Sequence, residues 1–165
     1  FAKMRDGRLD KKVDAVLQAF TDAGKAAKLD VDVSADINVE LWEKFIFLTA
    51  MAGATGSMRS AIGAIRSDPE LRGFFRALMQ EAYDVGRAKG VGLASDFVES
   101  RMKFLDTIEP GMKASMAHDL ERGNRIELDW LAGKVRALGR ALNIPTPASD
   151  TVYTVLKLYR MGSHP

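Results

Sequence analysis

A lysine lies within the most apolar stretch of the chain, "ELWEKFIFLTAMAG", which covers residues 40–53. At the edge of a cleft, the ammonium group of Lys44 could donate a proton to a carbonyl oxygen or stabilise negative charge developing on it. Alternatively, its stem packs on apolar neighbours while the amine reaches water. Because most lysines stay solvated, the residue type alone favours the second interpretation.

A second polar segment, "SMAHDLERGNRIELDW", covers residues 115–130. Glu127 is interpreted either as a first-turn acidic residue, where the helix dipole favours negative charge, or as a carboxylate that accepts a hydrogen bond from a substrate hydroxyl. The residue alone favours the first-turn interpretation. His118 and Asp119 are adjacent helix positions, which do not face each other. We therefore predict that His118 is a surface residue without an acid–base role.

Composition limits the classes of function. The 165 residues suffice for one domain with a core, or for one domain plus part of another. A net charge of +2 with interspersed signs argues against a nucleic-acid partner. The absence of cysteine and the two distant histidines argue against a metal site. Without a long apolar run or a signal-peptide pattern, we predict a cytoplasmic protein that does not interact with membranes.

The first 36 residues differ in pattern from the rest. Strand-like residues 1–4 and 28–33 flank a helical pattern that ends at Gly24 and contains Val13, Val16, Leu17 and Phe20. A lone unit of this kind buries its faces poorly. We therefore predict that residues 1–36 are the tail of an incomplete α/β domain.

From residue 37 onwards the patterns are helical. Asp36 or Asn38 caps the helix of Lys44, which "AGATGSMRS" ends, and a short helix covers residues 61–66. Asp68 caps a long helix that Gly90 terminates, and Ser95 caps one that runs to about Ile108. Three further helices lie in "MKASMAHDLERG", "IELDWLAGKVRALGRALN" and the segment after "IPTP". We predict a mainly α, bundle-like domain over residues 37–165.

The combined order of these segments resembles a known enzyme family. The motifs "LWEKFIFL", "TGSMRSAIGAIRSDPELRGFFRALMQEA", "SMAHDLERGNRIELDWLAGKV" and "ALGRALNIPTP" resemble the C-terminal domain of ketopantoate reductases (2-dehydropantoate 2-reductases). The opening "FAKMRDGRLDKKVDAVLQAFTDAG" resembles the end of that family's NADP-binding Rossmann domain. The resemblance implies a helical domain of the 6-phosphogluconate dehydrogenase C-terminal type. It also implies an active site in the cleft between the two domains of the complete enzyme.

The resemblance also implies a reaction and roles for three residues. These enzymes use NADPH to reduce 2-dehydropantoate to pantoate in pantothenate and coenzyme A biosynthesis. The motif positions assign catalysis to Lys44 and substrate binding to Glu127 and Ser115. Hydride addition to a keto carbon leaves negative charge on oxygen, which a lysine ammonium stabilises and protonates. On this basis Lys44 becomes a catalytic candidate placed where water is scarce, and a nearby carboxylate would help to keep it charged.

Two departures from the family pattern bear on substrate and cofactor. Some members carry asparagines one and two turns after the lysine, where this chain has Leu48 and Ala52. An apolar pocket and a hydrogen-bonding pocket select differently, so the substrate could be another 2-oxo or hydroxy acid. No strand is followed by G-x-G-x-x-G. We therefore assign no cofactor-binding residue and expect these 165 residues alone to be inactive.

Two further expectations concern assembly and role. Apolar helices and free strand edges favour association, so we predict a homodimer. A non-catalytic helical module for dimerisation or ligand binding is the remaining alternative.

Overall fold

The computed structural model describes residues 3–163. A short parallel strand pair is followed by helices, which confirms the predicted mainly α fold class. In chain order the elements are β1 (Met4–Asp6), α1 (Ala15–Ala26), β2 (Val31–Val33), α2 (Ile37–Ser57), α3 (Ile62–Ser67), α4 (Pro69–Ala88), α5 (Phe97–Leu105), α6 (Ser115–Glu121), α7 (Ala132–Leu142) and α8 (Pro147–Leu156), with a 3₁₀ turn at Lys157–Tyr159. No helix within residues 3–163 is both long and apolar enough to cross a membrane.

The chain divides into two compact units, Phe1–Glu43 and Lys44–Pro165. The assignment of residues 1–36 and 37–165 to two domains stays a prediction. In the first unit, β1 pairs in parallel with β2, and Met4 lies opposite Val31. This is the predicted strand–helix–strand order, with β2 three residues shorter at its start than the predicted strand. The first predicted strand begins at residues 1 and 2, which lie outside the described residues.

The expected helix terminator in the first unit has a different role. Helix α1 continues past Gly24 to Ala26, so the prediction that Gly24 ends it was wrong. A Cβ at Gly24 would lie 2.8 Å from Cγ1 of Val31, which shows that this glycine allows close approach of β2. Within the predicted apolar pattern Leu17 is buried, whereas Val16 and Phe20 are exposed.

Helix α2 is buried mainly along its C-terminal half. Asp36 accepts a hydrogen bond from the backbone N–H of Val39 at 3.3 Å, so Asp36 rather than Asn38 caps the helix. Apart from Ile46, the buried residues of α2 all lie between positions 49 and 56. Within that half, a Cβ at Gly53 would lie 3.2 Å from Leu78. Small residues therefore let other helices approach α2 closely.

Helix α4 follows its sequence pattern closely. The Asp68 carboxylate accepts hydrogen bonds from the N–H groups of Glu70 and Leu71, at 2.9 and 3.0 Å. Gly90 has a φ of +82°, which glycine adopts readily at the end of a helix. The predicted apolar stripe is fully buried and consists of Phe75, Leu78, Met79, Ala82 and Val85.

Two helix starts differ from the predictions. Helix α5 begins at Phe97 with Asp96 as its N-cap residue and ends at Leu105, so Ser95 does not cap it. Helix α7 begins at Ala132, and Glu127 is therefore not in its first turn. The N–H groups of Trp130 and Leu131 donate to the Glu127 carbonyl at 3.0 and 3.1 Å, which forms a separate turn. A ψ of −99° at Leu131 interrupts the helical path after this turn.

Two buried threonines on α2 provide a test of local energetics. The Thr49 hydroxyl has no hydrogen-bond partner within residues 3–163. The Thr55 hydroxyl donates to the Met51 carbonyl at 2.7 Å and accepts from the Ala114 N–H at 3.2 Å. We expect Thr49→Val to raise the free energy of unfolding by about 1 kcal/mol, because it removes an unsatisfied polar group. The matched Thr55→Val should lower that free energy by about 1 kcal/mol.

Urea unfolding of both variants beside the wild-type protein measures this difference. Equal losses in the two variants would show that the Thr49 hydroxyl makes a stabilising contact after all.

Candidate functional site

A cavity of about 360 Å³ lies within the helical unit, between α2 and the segments that precede α6 and α7. It brings together Ser115 and Glu127, two of the residues predicted to contact substrate. Its lining consists of Phe47, Leu48, Met51, Ala52, Met112, Lys113, Ala114, Ser115, Met116, Glu127 and Leu131. Ser115 and Glu127 are both exposed, so they lie where a ligand entering from solvent would meet them.

Lys44 is the third predicted site residue, and it is not among the residues that line the cavity. It precedes Leu48 by four positions and Ala52 by eight, so the three residues share one face of α2. Lys44 is exposed. The expectation that it lies where water is scarce concerns the cleft of the two-domain enzyme and stays a prediction. Apolar composition alone did not determine depth, because the close helix contacts of α2 lie further along, near Gly53 and Gly56.

The segment that carries Ser115 is held by backbone contacts. The N–H groups of Ile62 and Gly63 donate to the carbonyls of Met112 and Pro110, at 2.9 and 2.8 Å. A Cβ at Gly63 would lie 2.7 Å from Cβ of Pro110, so a larger residue would displace this contact. These contacts, together with the Thr55 hydroxyl, hold the start of α6 against the rest of the unit.

Lys113 is a cavity residue that the sequence reasoning missed. Its ammonium donates to Oε1 of Glu121 at 2.5 Å. The hydrogen bond from Lys113 lowers the pKa of the Glu121 carboxyl, with the positive charge of Lys113 contributing as well. The ion pair of Lys113 and Glu121 therefore persists to a lower pH than a pair with an ordinary glutamate would. Lys113 lies before α6 and Glu121 is the last residue of that helix, eight positions further on, so helix spacing gave no signal for the pair.

The remaining polar candidates lie at the surface. His118 is exposed, and its Nδ1 lies 3.6 Å from Oε2 of Glu121. Asn124 donates through Nδ2 to Asp119 at 3.1 Å. No group of three or more metal-ligating side chains has a suitable arrangement within residues 3–163.

A second cavity, of about 300 Å³, is lined by Arg59, Arg122 and Tyr159 among others. It contains none of the predicted site residues and is more open to solvent, so we assign the site to the cavity at Ser115 and Glu127.

The described residues do not fit the phosphates of a dinucleotide. The turn between β1 and α1 contains one glycine, Gly7, rather than a glycine-rich loop. The Gly7 N–H already donates to Oδ1 of Asp6 at 2.8 Å, and this carboxylate would repel a phosphate. We therefore assign none of residues 3–163 to cofactor binding.

Comparison with known proteins decides the family. The family model described as ketopantoate reductase PanE/ApbA C terminal matches residues 36–160. The chain belongs to this family. A 2-dehydropantoate 2-reductase of Mesorhizobium japonicum (strain LMG 29417 / CECT 9101 / MAFF 303099) is 31% identical over 92% of this chain and 44% of the relative. An uncharacterized oxidoreductase, YkpB, of Bacillus subtilis (strain 168) is 29% identical over 93% of this chain and 50% of the relative.

A solved structure of this family has the same fold. The dimeric ketopantoate reductase of Staphylococcus aureus superposes with a TM-score of 0.83 at 23% sequence identity. The match covers 90% of this chain and 52% of that one. The chain thus spans about half the length of the ketopantoate reductases and related oxidoreductases that it matches. The predicted family and fold are confirmed, and relatives of this chain are oxidoreductases.

Proposed function

We propose that this chain provides the substrate site and the proton donor of an NADPH-dependent 2-dehydropantoate 2-reductase. The observation that supports this is the cavity at Ser115 and Glu127, together with Lys44 one helical turn before the cavity residue Leu48. Residues 1–36 would belong to the NADP-binding domain and residues 37–165 to the substrate-binding domain. Reduction of 2-dehydropantoate yields pantoate, which places the proposed reaction in pantothenate biosynthesis.

Lys44 acts on the keto oxygen in this proposal. The keto carbon would receive a hydride, with its two electrons, from NADPH held outside residues 3–163. The Lys44 ammonium stabilises the negative charge that develops on the oxygen and transfers a proton to it, so the product is a 2-hydroxy acid. Because Lys44 is exposed, it can regain a proton from solvent after each turnover.

Glu127 and Ser115 orient the substrate in this proposal. The Glu127 carboxylate accepts a hydrogen bond from the 4-hydroxyl of 2-dehydropantoate, and the Ser115 hydroxyl can donate to a substrate oxygen. The apolar cavity wall receives the dimethyl group of the substrate. Together these contacts hold the keto carbon in one orientation, which determines the face that the hydride meets.

We expect Glu127→Ala to raise the KM for 2-dehydropantoate about 5–10-fold and to leave kcat almost unchanged, because it removes a single hydrogen bond made in both ground and transition states. Spectrophotometric NADPH oxidation by the complete gene product measures this. Glu70→Ala is the matched control, since Glu70 is also exposed but lies on α4. If the complete gene product binds NADPH and reduces no 2-oxoacid, the proposal fails and a non-catalytic module is indicated.

A homodimer and a cytoplasmic location are part of the same proposal. The dimeric state of the Staphylococcus aureus ketopantoate reductase supports the first. Light scattering on the complete gene product gives the mass in solution, and a monomer at working concentration would rule the dimer out.

A further inference from the structure

The inner wall of the cavity is hydrocarbon and well packed. Met51, Ala52 and Met116 are buried, at 4%, 2% and 1% exposure. The ring of Phe47 makes edge-to-face contacts with Phe75 and Phe104, with centroids 6.1 and 5.6 Å apart. A wall held in this way offers a fixed apolar surface to a ligand.

The polar groups of the cavity are exposed to solvent or already paired. Ser115 and Glu127 are exposed, so water satisfies them when no ligand is present. The Lys113 ammonium is bonded to Glu121. A site strongly rejects a substrate that lacks a hydroxyl only when binding that substrate leaves buried polar groups of the site without a hydrogen-bond partner. Among residues 3–163, the cavity therefore has little means of rejecting such a substrate.

Leu48 and Ala52 extend the apolar character towards Lys44. Both line the cavity and lie one and two turns after Lys44 on the same helix face. Neither side chain can form a hydrogen bond with a ligand. The part of the cavity nearest to the proposed proton donor thus recognises shape and hydrocarbon area.

We propose that this site recognises its 2-oxoacid by the apolar bulk of the side chain, and that branched aliphatic 2-oxoacids without a hydroxyl are substrates within about 10-fold of 2-dehydropantoate in kcat/KM. This inference rests on the proposed function and names its substrate class. A cavity of about 360 Å³ is at the lower end of the volumes of small-molecule sites, which suits a compact branched acid. The reaction would be the same two-electron reduction of the keto group, with NADPH as the hydride donor.

A matched pair of substrates tests this inference. 3,3-Dimethyl-2-oxobutanoate is 2-dehydropantoate without its 4-hydroxyl. With the complete gene product, we expect kcat/KM for the two acids to agree within about 10-fold, since one solvent-exposed hydrogen bond is worth little more. Dissociation constants measured by calorimetry without NADPH should agree within the same factor.

A substitution in the cavity should change this preference. In Leu48→Asn a side-chain amide replaces hydrocarbon, and we expect the kcat/KM ratio to move at least 10-fold towards 2-dehydropantoate. Leu41→Asn is the matched control, because Leu41 is a leucine of similar exposure on the same helix, at 52% against 45% for Leu48. Leu41 does not line the cavity, so the ratio should stay unchanged.

The outcomes separate the inference from the proposed function. A wild-type preference for 2-dehydropantoate above about 10-fold in either kcat/KM or the dissociation constant overturns the inference while the reductase function stands. A ratio that Leu48→Asn leaves unchanged shows that this wall does not select the side chain, which also overturns the inference. If neither acid is reduced although NADPH binds, the proposed function itself fails.

Discussion

Lys44→Ala is expected to lower kcat for reduction of 2-dehydropantoate by about 10²–10⁴-fold in the complete gene product. This is the usual contribution of a positioned general acid. Water can replace the proton donor but cannot provide a fixed positive charge beside the developing oxyanion. Because Lys44 is exposed, the same substitution should change the free energy of unfolding by less than about 0.5 kcal/mol.

Two control variants separate proton donation by Lys44 from the effect of its positive charge and from the effect of removing a surface lysine. Lys103→Ala removes another exposed helical lysine, on α5, and should leave kcat unchanged. Lys44→Arg keeps the positive charge, but a guanidinium is a much weaker acid than an ammonium and gives up a proton poorly, so we expect activity between the wild-type and alanine values. Stopped-flow and steady-state NADPH oxidation give the rates. Full activity in Lys44→Ala would assign the proton transfer to another group.

Glu81→Leu is expected to lower the free energy of unfolding by about 3–5 kcal/mol. The Glu81 carboxylate is buried and accepts hydrogen bonds from the N–H groups of Ala148 and Ser149, at 2.6 and 2.8 Å. It also accepts from the Ser149 hydroxyl at 2.6 Å. Leucine would leave these buried donors at the start of α8 without partners and remove a negative charge from the positive end of the helix dipole.

Urea unfolding of Glu81→Leu, Glu81→Gln and Glu99→Leu tests this role. Glutamine keeps one acceptor oxygen and should cost less than leucine. Glu99 is paired with Arg76 at the surface and is 57% exposed, so its substitution should cost less than about 1 kcal/mol. A Glu81→Leu loss no larger than that of Glu99→Leu would show that the carboxylate does not hold α8.

Local sequence signals predicted the helices that carry strong patterns. Helix α4 has a capping aspartate, a proline in its first turn, an apolar stripe at helical spacing and a closing glycine, and all four agree with the structure. Weaker signals failed. Gly24 looked like a terminator because glycine is common after helices, whereas its actual role is to admit Val31. Ser95 is a good capping residue by type, but α5 begins at Phe97.

The candidate site was likewise predictable from the sequence only in part. The motif order identified the family, and with it Lys44, Ser115 and Glu127 as candidates. Spacing could not reveal that Lys113 pairs with Glu121 beside the cavity. It also could not show that Lys44 is exposed although its segment is apolar on nearly every side.

By itself, the sequence determined the family, the mainly α fold class and the order of the helices, because these depend on residue types and periodicities within short segments. Only the tertiary structure decided which faces are covered. Thr49 and Thr55 are alike in the sequence and equally buried, yet of the two only the Thr55 hydroxyl has a hydrogen-bond partner within residues 3–163, including the N–H of Ala114. Glu81 caps a helix 67 residues further along the chain. Such contacts depend on how distant elements pack together, and a local pattern shows which face of a helix is apolar but not what that face will meet.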